Sequence, residues 1–211
     1  MGKIFAIGDI HGCFDKLENL IEKIDIDFNN DTIVFMGDYI DRGTDSFKVV
    51  DFLIKIKKMC PKAFFLKGNH ELMFENYLSG EDMSSFLQNG GRMTIESYAR
   101  ESRGENRFYM PPEHTEFFNS LELYYETDEY IFVHAGLREH VPLEKQTADD
   151  FLWIRRDFLE SHVDFGKIVV FGHTPFSDPR VNDNKIGIDT GAVYGNKLTC
   201  LKLPDLFFYS E

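Results

Sequence analysis

The first seventy residues alternate short apolar runs with longer amphipathic runs, and this alternation constrains the fold more than any other feature. Residues 3–7, 32–36 and 63–66 are rich in apolar and β-branched residues, which predicts three strands. Residues 14–24 and 46–58 carry apolar side chains at helical spacing, which predicts two helices between the strands. Strands joined by helices of this length predict parallel pairing through right-handed crossovers.

The rest of the chain predicts a helical insertion followed by more strands. Residues 71–120 are mostly helical in pattern, with polar and glycine-containing joints. Strand patterns return at residues 121–126, 130–134, 167–171, 185–189 and 197–202, and this late cluster predicts a second sheet packed on the first. At 211 residues the chain has the size of one domain. We therefore expect a single catalytic domain over residues 1–211, with an α/β fold of two mixed β-sheets packed as a sandwich and flanked by helices.

Charge and cysteine content limit the partners. The formal net charge of −13 is unfavourable for general binding to nucleic acid or to anionic membranes. No apolar run reaches the 18 or so residues that a membrane-spanning helix needs. The three cysteines match neither a disulfide framework nor a zinc site. We expect a cytoplasmic protein with no nucleic-acid and no membrane partner; the sequence does not specify an oligomeric state.

Five short segments of glycine and polar residues each follow a predicted strand directly. They are residues 8–12 (GDIHG), 37–43 (GDYIDRG), 68–71 (GNHE), 133–136 (VHAG) and 171–174 (FGHT). Because ligands bind at the carboxyl ends of the strands in open α/β sheets, five loops are expected to converge on one site. Their oxygen and imidazole donors suit Mn, Fe or Zn and include no thiolate.

The five segments carry a resemblance to a known family. Together with residues 89–91 (NGG), 153–155 (WIR) and 188–193 (IDTGAV), they stand in the order typical of the calcineurin-like metallophosphoesterase superfamily. Within it, the chain resembles the small bacterial and phage-type phosphoprotein phosphatases. The resemblance spans Gly8 to about Leu201 and implies a metal-dependent hydrolase of phosphoserine and phosphothreonine proteins or peptides. Small phosphorylated metabolites are further candidate substrates.

The resemblance also implies a pair of divalent metal ions, expected to be Mn, with Fe or Zn as alternatives. Asp9 and His11 would hold the first ion, and Asp38 would bridge to the second. The second site would be completed by Asn69, His134 and His173. A metal-activated water would then attack phosphorus without a covalent phosphoenzyme.

Four more residues are implied to act on the substrate. His70 would protonate the leaving group, with Asp41 orienting its imidazole. Arg42 and Arg155 would clamp the phosphate oxygens, with Arg156 as an alternative to Arg155.

Other conspicuous residues receive lesser roles. Glu71 is expected to orient a ligand or cap the following helix, and Cys13 to serve in packing. Lys67 stands where the phage-type enzymes often carry arginine, so we assign it no phosphate contact. The histidines outside the five segments are expected at the surface: His114, His140 and His162.

Three alternative functions remain. The symmetrical dinucleoside tetraphosphate hydrolases share the scaffold but typically carry Ala or Asn at the position of Asp41, and Asp at that of Glu71. These two positions favour a protein phosphatase. The second alternative is a non-catalytic phosphopeptide-binding module, against which the intact His70 and metal ligands argue. The third is a nuclease, which conflicts with the net charge.

Overall fold

The computed structural model describes residues 2–102, 107–182 and 184–211. Its strands are β1 (Ile4–Ile7), β2 (Thr32–Phe35), β3 (Ala63–Phe65), β4 (Tyr124–Glu126), β5 (Tyr130–Val133), β6 (Ile168–Phe171), β7 (Arg180–Asn182), β8 (Lys185–Gly187), β9 (Thr199–Leu203) and β10 (Phe207–Ser210). Its helices are α1 (Phe14–Lys23), α2 (Ser46–Met59), α3 (Asn69–Ser79), α4 (Met83–Phe86), α5 (Arg92–Glu101), α6 (Pro112–Asn119), α7 (Ala148–Trp153) and α8 (Arg156–Glu160).

The strands form two mixed sheets, as the sequence predicts, and each sheet has five strands. The first has the order β10-β9-β1-β2-β3, and β1, β2 and β3 run parallel, with Ile4 opposite Thr32. The second has the order β4-β5-β6-β8-β7, with β5, β6 and β8 parallel. The five motif segments therefore lie at the carboxyl ends of parallel strands: β1, β2 and β3 in the first sheet, and β5 and β6 in the second.

The sandwich is closed by apolar side chains from both sheets. Val34 and Leu201 of the first sheet lie in one buried cluster with Phe132 and Val170 of the second. Helices α1 and α2 cover the outer face of the first sheet, where Leu17 and Leu53 are fully buried. Burial of such side chains provides about 1.5–3 kcal/mol each, so both sheets are firmly fixed beneath the loops.

Two predicted details of the fold are wrong. The strand near residues 197–202 was assigned to the second sheet, but β9 pairs antiparallel with β1, with Leu203 opposite Ile4. His114 was expected at the surface, but it is 1% exposed on α6, and its Nδ1 lies 2.9 Å from the hydroxyl of Tyr98. Its polar sequence neighbours point outward while its own face of the helix packs inward.

The elements missing from the prediction are short or lie at sheet edges. Strands β7 and β10 are edge strands, and α7 and α8 have six and five residues. Periodicity carries little signal over so few residues. Among the described helices, none has the length and apolar character needed to cross a membrane.

Candidate active site

The loops at the carboxyl ends of the strands share an unusual backbone conformation. Five predicted site residues have positive φ angles: His11 (46°), Asp38 (52°), Asp41 (72°), Arg42 (66°) and His173 (62°). Such conformations cost about 1–3 kcal/mol each outside glycine and cluster at functional sites. The backbone is therefore held in a strained form where the predicted ligands lie.

Two glycines let these loops approach the carboxylates. A Cβ atom on Gly68 would lie 2.1 Å from Oδ1 of Asp38, and one on Gly172 would lie 2.2 Å from Oδ1 of Asp9. Any side chain at either position would displace a carboxylate. The Gly-Asn-His and Gly-His segments thus need glycine for close packing against the predicted metal ligands.

Asp38 lies between two histidines from different sheets. Its Oδ2 is 3.4 Å from Nε2 of His11, and its Oδ1 is 3.4 Å from Nε2 of His134. The carboxylate thus presents one oxygen to each side of the site.

Backbone carbonyls fix the tautomers of both histidines. Nδ1 of His11 donates to the carbonyl of Ile40 at 2.9 Å, and Nδ1 of His134 donates to that of Met36 at 2.8 Å. Burial lowers the pKa of His11 to about 3 and also lowers the pKa of His134. Both rings are therefore neutral and point the Nε2 lone pair into the site, as metal-binding imidazoles do.

The side chains form two groups that could each hold an ion. One is His11, Asp38 and His70, and the other is Asp38, His134 and His173; within each group the ligand atoms lie within 4.8 Å of one another. Nε2 of His173 is buried and has no hydrogen-bond partner among the described residues. Nε2 of His134 and Oδ1 of Asn69 are 3.0 Å apart. Two lone pairs facing each other at this distance fit a shared cation.

Asp9 lies beside these groups without belonging to either. Its carboxylate accepts hydrogen bonds from the backbone amide of His173, at 3.0 and 3.2 Å. Burial, followed by the charges of Asp189 and Asp38, raises the pKa of Asp9 well above its usual range. Crowded buried carboxylates are what a bound cation would stabilise. Ligation of the first ion by Asp9 stays a prediction.

His70 has the environment expected of a proton donor. Its Nδ1 lies 2.7 Å from Oδ2 of Asp41, and the hydroxyl of Thr94 donates to Oδ1 of Asp41 at 2.6 Å. Burial opposes protonation of the ring, but Asp38 and Asp41 raise the pKa of His70 above its usual value. Its Nε2 is buried and unpartnered among the described residues. That nitrogen is the atom that could deliver a proton.

The predicted phosphate clamps occupy different surroundings. Nη1 of Arg42 lies 2.7 Å from Nε2 of His11, and its guanidinium lies 5.6 Å from the ring centre of Tyr194. Arg155 is exposed and forms no ion pair within the described part of the chain, whereas Arg156 pairs with Glu160 at 2.9 Å. Arg155 is therefore the better placed of the two to contact a substrate.

Three residues outside the predicted ligand set support the site, and the sequence predicts such a role for Glu71 but not for the other two. Glu71 is fully buried and accepts hydrogen bonds from the amides of Asp38, Tyr39 and Gly68, at 2.9, 2.8 and 2.9 Å. Thr94, in the insertion, holds Asp41. Asp189 is 6% exposed beside Asp9, and burial raises its pKa to about 6. The 188–193 motif contains Asp189, so the sequence did carry a signal for it.

The remaining conspicuous side chains lie outside the catalytic arrangement. Nζ of Lys67 forms an ion pair with Oε1 of Glu75 at 2.7 Å, and this carboxylate balances the charge of the lysine. Burial raises the pKa of the Cys13 thiol, so this cysteine is a poor nucleophile.

A family model for calcineurin-like phosphoesterases matches residues 2–202. The chain belongs to this family. Such phosphoesterases use divalent metal ions, and the two ligand groups of this phosphoesterase have the donors to hold them. The identity of the ions stays a prediction.

Named relatives cover nearly the whole chain. The phosphoesterase is 32% identical to the asymmetrical bis(5'-nucleosyl)-tetraphosphatase PrpE of Oceanobacillus iheyensis, over 99% of this chain and 91% of that protein. It is 28% identical to the protein of the same name from Halalkalibacterium halodurans, over 97% of this chain and 91% of that protein. Among solved structures, one described provisionally as a diadenosine tetraphosphatase has a TM-score of 0.77 at 22% identity, covering 100% of this chain and 93% of that chain.

These relatives overturn the expected substrate. The sequence favoured a phosphoserine and phosphothreonine protein phosphatase, and that assignment is wrong, since the full-length relatives are named as dinucleoside tetraphosphatases. A cold-active protein tyrosine phosphatase also shares the fold, with a TM-score of 0.75 over 100% of this chain and 78% of that chain, but its 18% identity shows the fold alone.

Proposed function

We propose that this phosphoesterase hydrolyses a dinucleoside tetraphosphate asymmetrically, giving a nucleoside triphosphate and a nucleoside monophosphate. The observation that carries the proposal is the 32% identity to an asymmetrical bis(5'-nucleosyl)-tetraphosphatase over 99% of the chain. The symmetrical hydrolase considered from the sequence acts on the same substrate class but cuts at the centre of the tetraphosphate.

The arrangement of charges supports a polyphosphate substrate. The ligand groups bring Asp38 together with four histidines, and Arg42 and Arg155 add two guanidiniums that suit phosphate oxygens. Two bound divalent ions, manganese by preference, would activate water and offset the charge of the tetraphosphate. The acidic net charge is then no obstacle to an anionic substrate, because the ions invert the local sign.

This chain's own residues divide the remaining work. Arg42 and Arg155 orient the phosphate chain through bidentate hydrogen bonds. His70, held by Asp41 at 2.7 Å, donates a proton from Nε2 to the oxygen that leaves with the departing phosphate. Asp9, His11, Asp38, Asn69, His134 and His173 hold the ions.

Asp41 and Glu71, the two residues that favoured a protein phosphatase, position other groups of the site. Asp41 orients His70, and Glu71 fixes the backbone amides around Asp38. Neither side chain faces a substrate, so neither reports which phosphate compound binds. Asp41 and Glu71 are therefore compatible with a nucleotide hydrolase.

The test is product analysis by anion-exchange chromatography. Protein reconstituted with Mn²⁺ is incubated with diadenosine tetraphosphate, and equal amounts of ATP and AMP are expected. Formation of ADP alone would show symmetrical cleavage. Absence of any nucleotide product under conditions where an aryl phosphate is hydrolysed would overturn the proposal.

Two controls complete the experiment. Asp38→Asn should abolish turnover, because both ligand groups lose their shared carboxylate. Asp178→Asn alters an exposed carboxylate paired with Lys197 and should leave turnover unchanged.

A further inference from the structure

Trp153 is the single tryptophan of the chain, and it lies at the edge of the active site. It is the last residue of α7, and 41% of its surface is exposed. Its ring centre is 6.2 Å from that of His173, with the two planes at 86°. A large aromatic side chain left exposed beside a predicted metal ligand is available to a ligand rather than to the core.

A cleft opens at the same place. Its volume is about 560 Å³, which falls in the range of small-molecule sites. Trp153 and Ile154 line it together with three arginines and three aspartates: Arg138, Arg155, Arg156, Asp149, Asp150 and Asp157. Arg138 is neutralised by Asp150 at 2.7 Å and Arg156 by Glu160 at 2.9 Å. Arg155 also lines the cleft, and no carboxylate in the described part of the chain forms an ion pair with its guanidinium.

The cleft adjoins the catalytic groups at Trp153. Trp153 contacts His173, which belongs to the ligand group with Asp38 and His134. Arg155 follows Trp153 by two residues and its charge reaches His134, His173 and Asp189. A ligand that spans from Trp153 to Asp38 would therefore present an aromatic group, then negative charge, then a scissile phosphate.

We propose that the cleft at Trp153 is a nucleobase subsite, in which the indole stacks on one base while Arg155 binds the adjoining phosphates. The inference rests on the proposed function and extends it by naming the residue that recognises the nucleoside. Holding one base at Trp153 fixes which phosphorus atom lies over the ligand groups. The subsite thereby contributes to the choice between asymmetrical and symmetrical cleavage.

Fluorescence of the single tryptophan gives a readout that does not depend on turnover. In a magnesium buffer, AMP and ATP are expected to quench Trp153 emission in a saturable manner, whereas inorganic tripolyphosphate, which has no base, leaves it nearly unchanged. Equal quenching by tripolyphosphate, or no change with any nucleotide, would overturn the subsite.

Kinetics supply the second arm. Trp153→Ala is expected to raise KM for diadenosine tetraphosphate about tenfold or more, because stacking of a base on an aromatic ring is of that strength. Trp153→Phe, which keeps a stacking plane, should recover most of the loss. Hydrolysis of p-nitrophenyl phosphate should stay within about twofold for both variants. Phe207→Ala, which removes another exposed aromatic on β10, serves as the matched control.

The outcomes separate the two proposals. If the wild type cleaves diadenosine tetraphosphate and Trp153→Ala does so with the same KM, the subsite is wrong and the proposed function stands. If nucleotides quench Trp153 but no dinucleotide is hydrolysed, the subsite stands and the proposed function fails.

Discussion

Nδ1 of His70 lies 2.7 Å from Oδ2 of Asp41, and both side chains are completely buried. The pair leaves Nε2 of His70 as the only ring atom free to exchange a proton with a substrate. Because Thr94 donates to the other oxygen of Asp41, the carboxylate cannot rotate away without losing a second hydrogen bond. This arrangement fits the proposed role of His70 as a general acid.

His70→Asn is expected to slow substrates with alkyl leaving groups more than those with aryl leaving groups. An alkoxide needs protonation as it departs, whereas a nitrophenolate does not, so the loss should be about 100-fold or more for the alkyl substrate. Steady-state rates on an alkyl and an aryl phosphate measure the difference. Equal slowing of both would mean that His70 acts by other means, such as ligating an ion.

Asp41→Asn tests the electrostatic part of the same pair. Asp38 and Asp41 raise the pKa of His70, so its imidazole stays protonated to a higher pH than a free imidazole does. The contribution of protonated His70 to the rate is lost as the pH rises through that pKa. Removing the charge of Asp41 should lower the pKa of His70. The alkaline limb of the kcat profile should then move to lower pH. If the alkaline limb stays at the same pH, a group other than His70 causes it.

Glu71→Gln should destabilise the protein by about 1–3 kcal/mol, because the amide group of Gln would face backbone N–H groups that now donate to a buried carboxylate. Urea denaturation measures the change. Glu75→Gln on the same helix is the matched control: it removes a half-buried ion pair with Lys67 and should cost less than about 1 kcal/mol. Equal effects of the two substitutions would show that the three backbone contacts matter little.

The sequence predicted the central fold because its signal is strong where strands are buried. Strands β1, β2, β5 and β6 are short apolar runs, and their order with α1 and α2 leaves few arrangements. It could not place β9, since an apolar strand in a sandwich pairs equally well with either sheet until its register is known. His114 shows a second limit: a polar residue satisfied by Tyr98 inside the core has the same sequence pattern as a surface residue.

The sequence predicted which side chains come together where these lie in compact motifs next to strands, and their roles stay predictions. Residues that support these side chains from distant parts of the chain could not be predicted. Thr94 reaches Asp41 across 53 positions of sequence, and nothing in its own neighbourhood indicates that contact. Substrate choice failed for a related reason, since Asp41 and Glu71 respond to the scaffold around them rather than to the ligand.

Removal of bound metal is expected to lower the melting temperature by about 5–10 °C at neutral pH. An ion bound at a hundred times its Kd contributes about 2.7 kcal/mol, and 1 kcal/mol corresponds to about 2–4 °C for a chain of this size. Without the ions, Asp9, Asp38 and Asp189 repel one another in a buried setting. In the metal-free protein, Asp189→Asn should therefore raise the melting temperature. Calorimetry before and after verified chelation measures the change in melting temperature. Identical melting curves would contradict metal binding.

Stability at acid pH should depend on His114, far from the predicted ligands. Burial lowers the pKa of this histidine, so the folded protein keeps it neutral while the unfolded chain, with a pKa near the ordinary 6.5, takes up a proton. The stabilising contribution of neutral His114 is therefore fully present above the pKa of the unfolded chain. It is lost as the pH falls toward the pKa of the folded protein, and the loss is up to about 1.4 kcal/mol for each pH unit between the two pKa values. His114→Phe should remove this pH-dependent part of the free energy of unfolding, so the stability of the variant should fall less than that of the wild type between pH 7.5 and 5.5.

His140→Phe is the control, because it alters an exposed histidine and should keep the pH dependence of the wild type. Urea denaturation at both pH values measures the difference, and parallel losses for His114→Phe and the wild type would show that burial leaves the proton affinity of this ring unchanged.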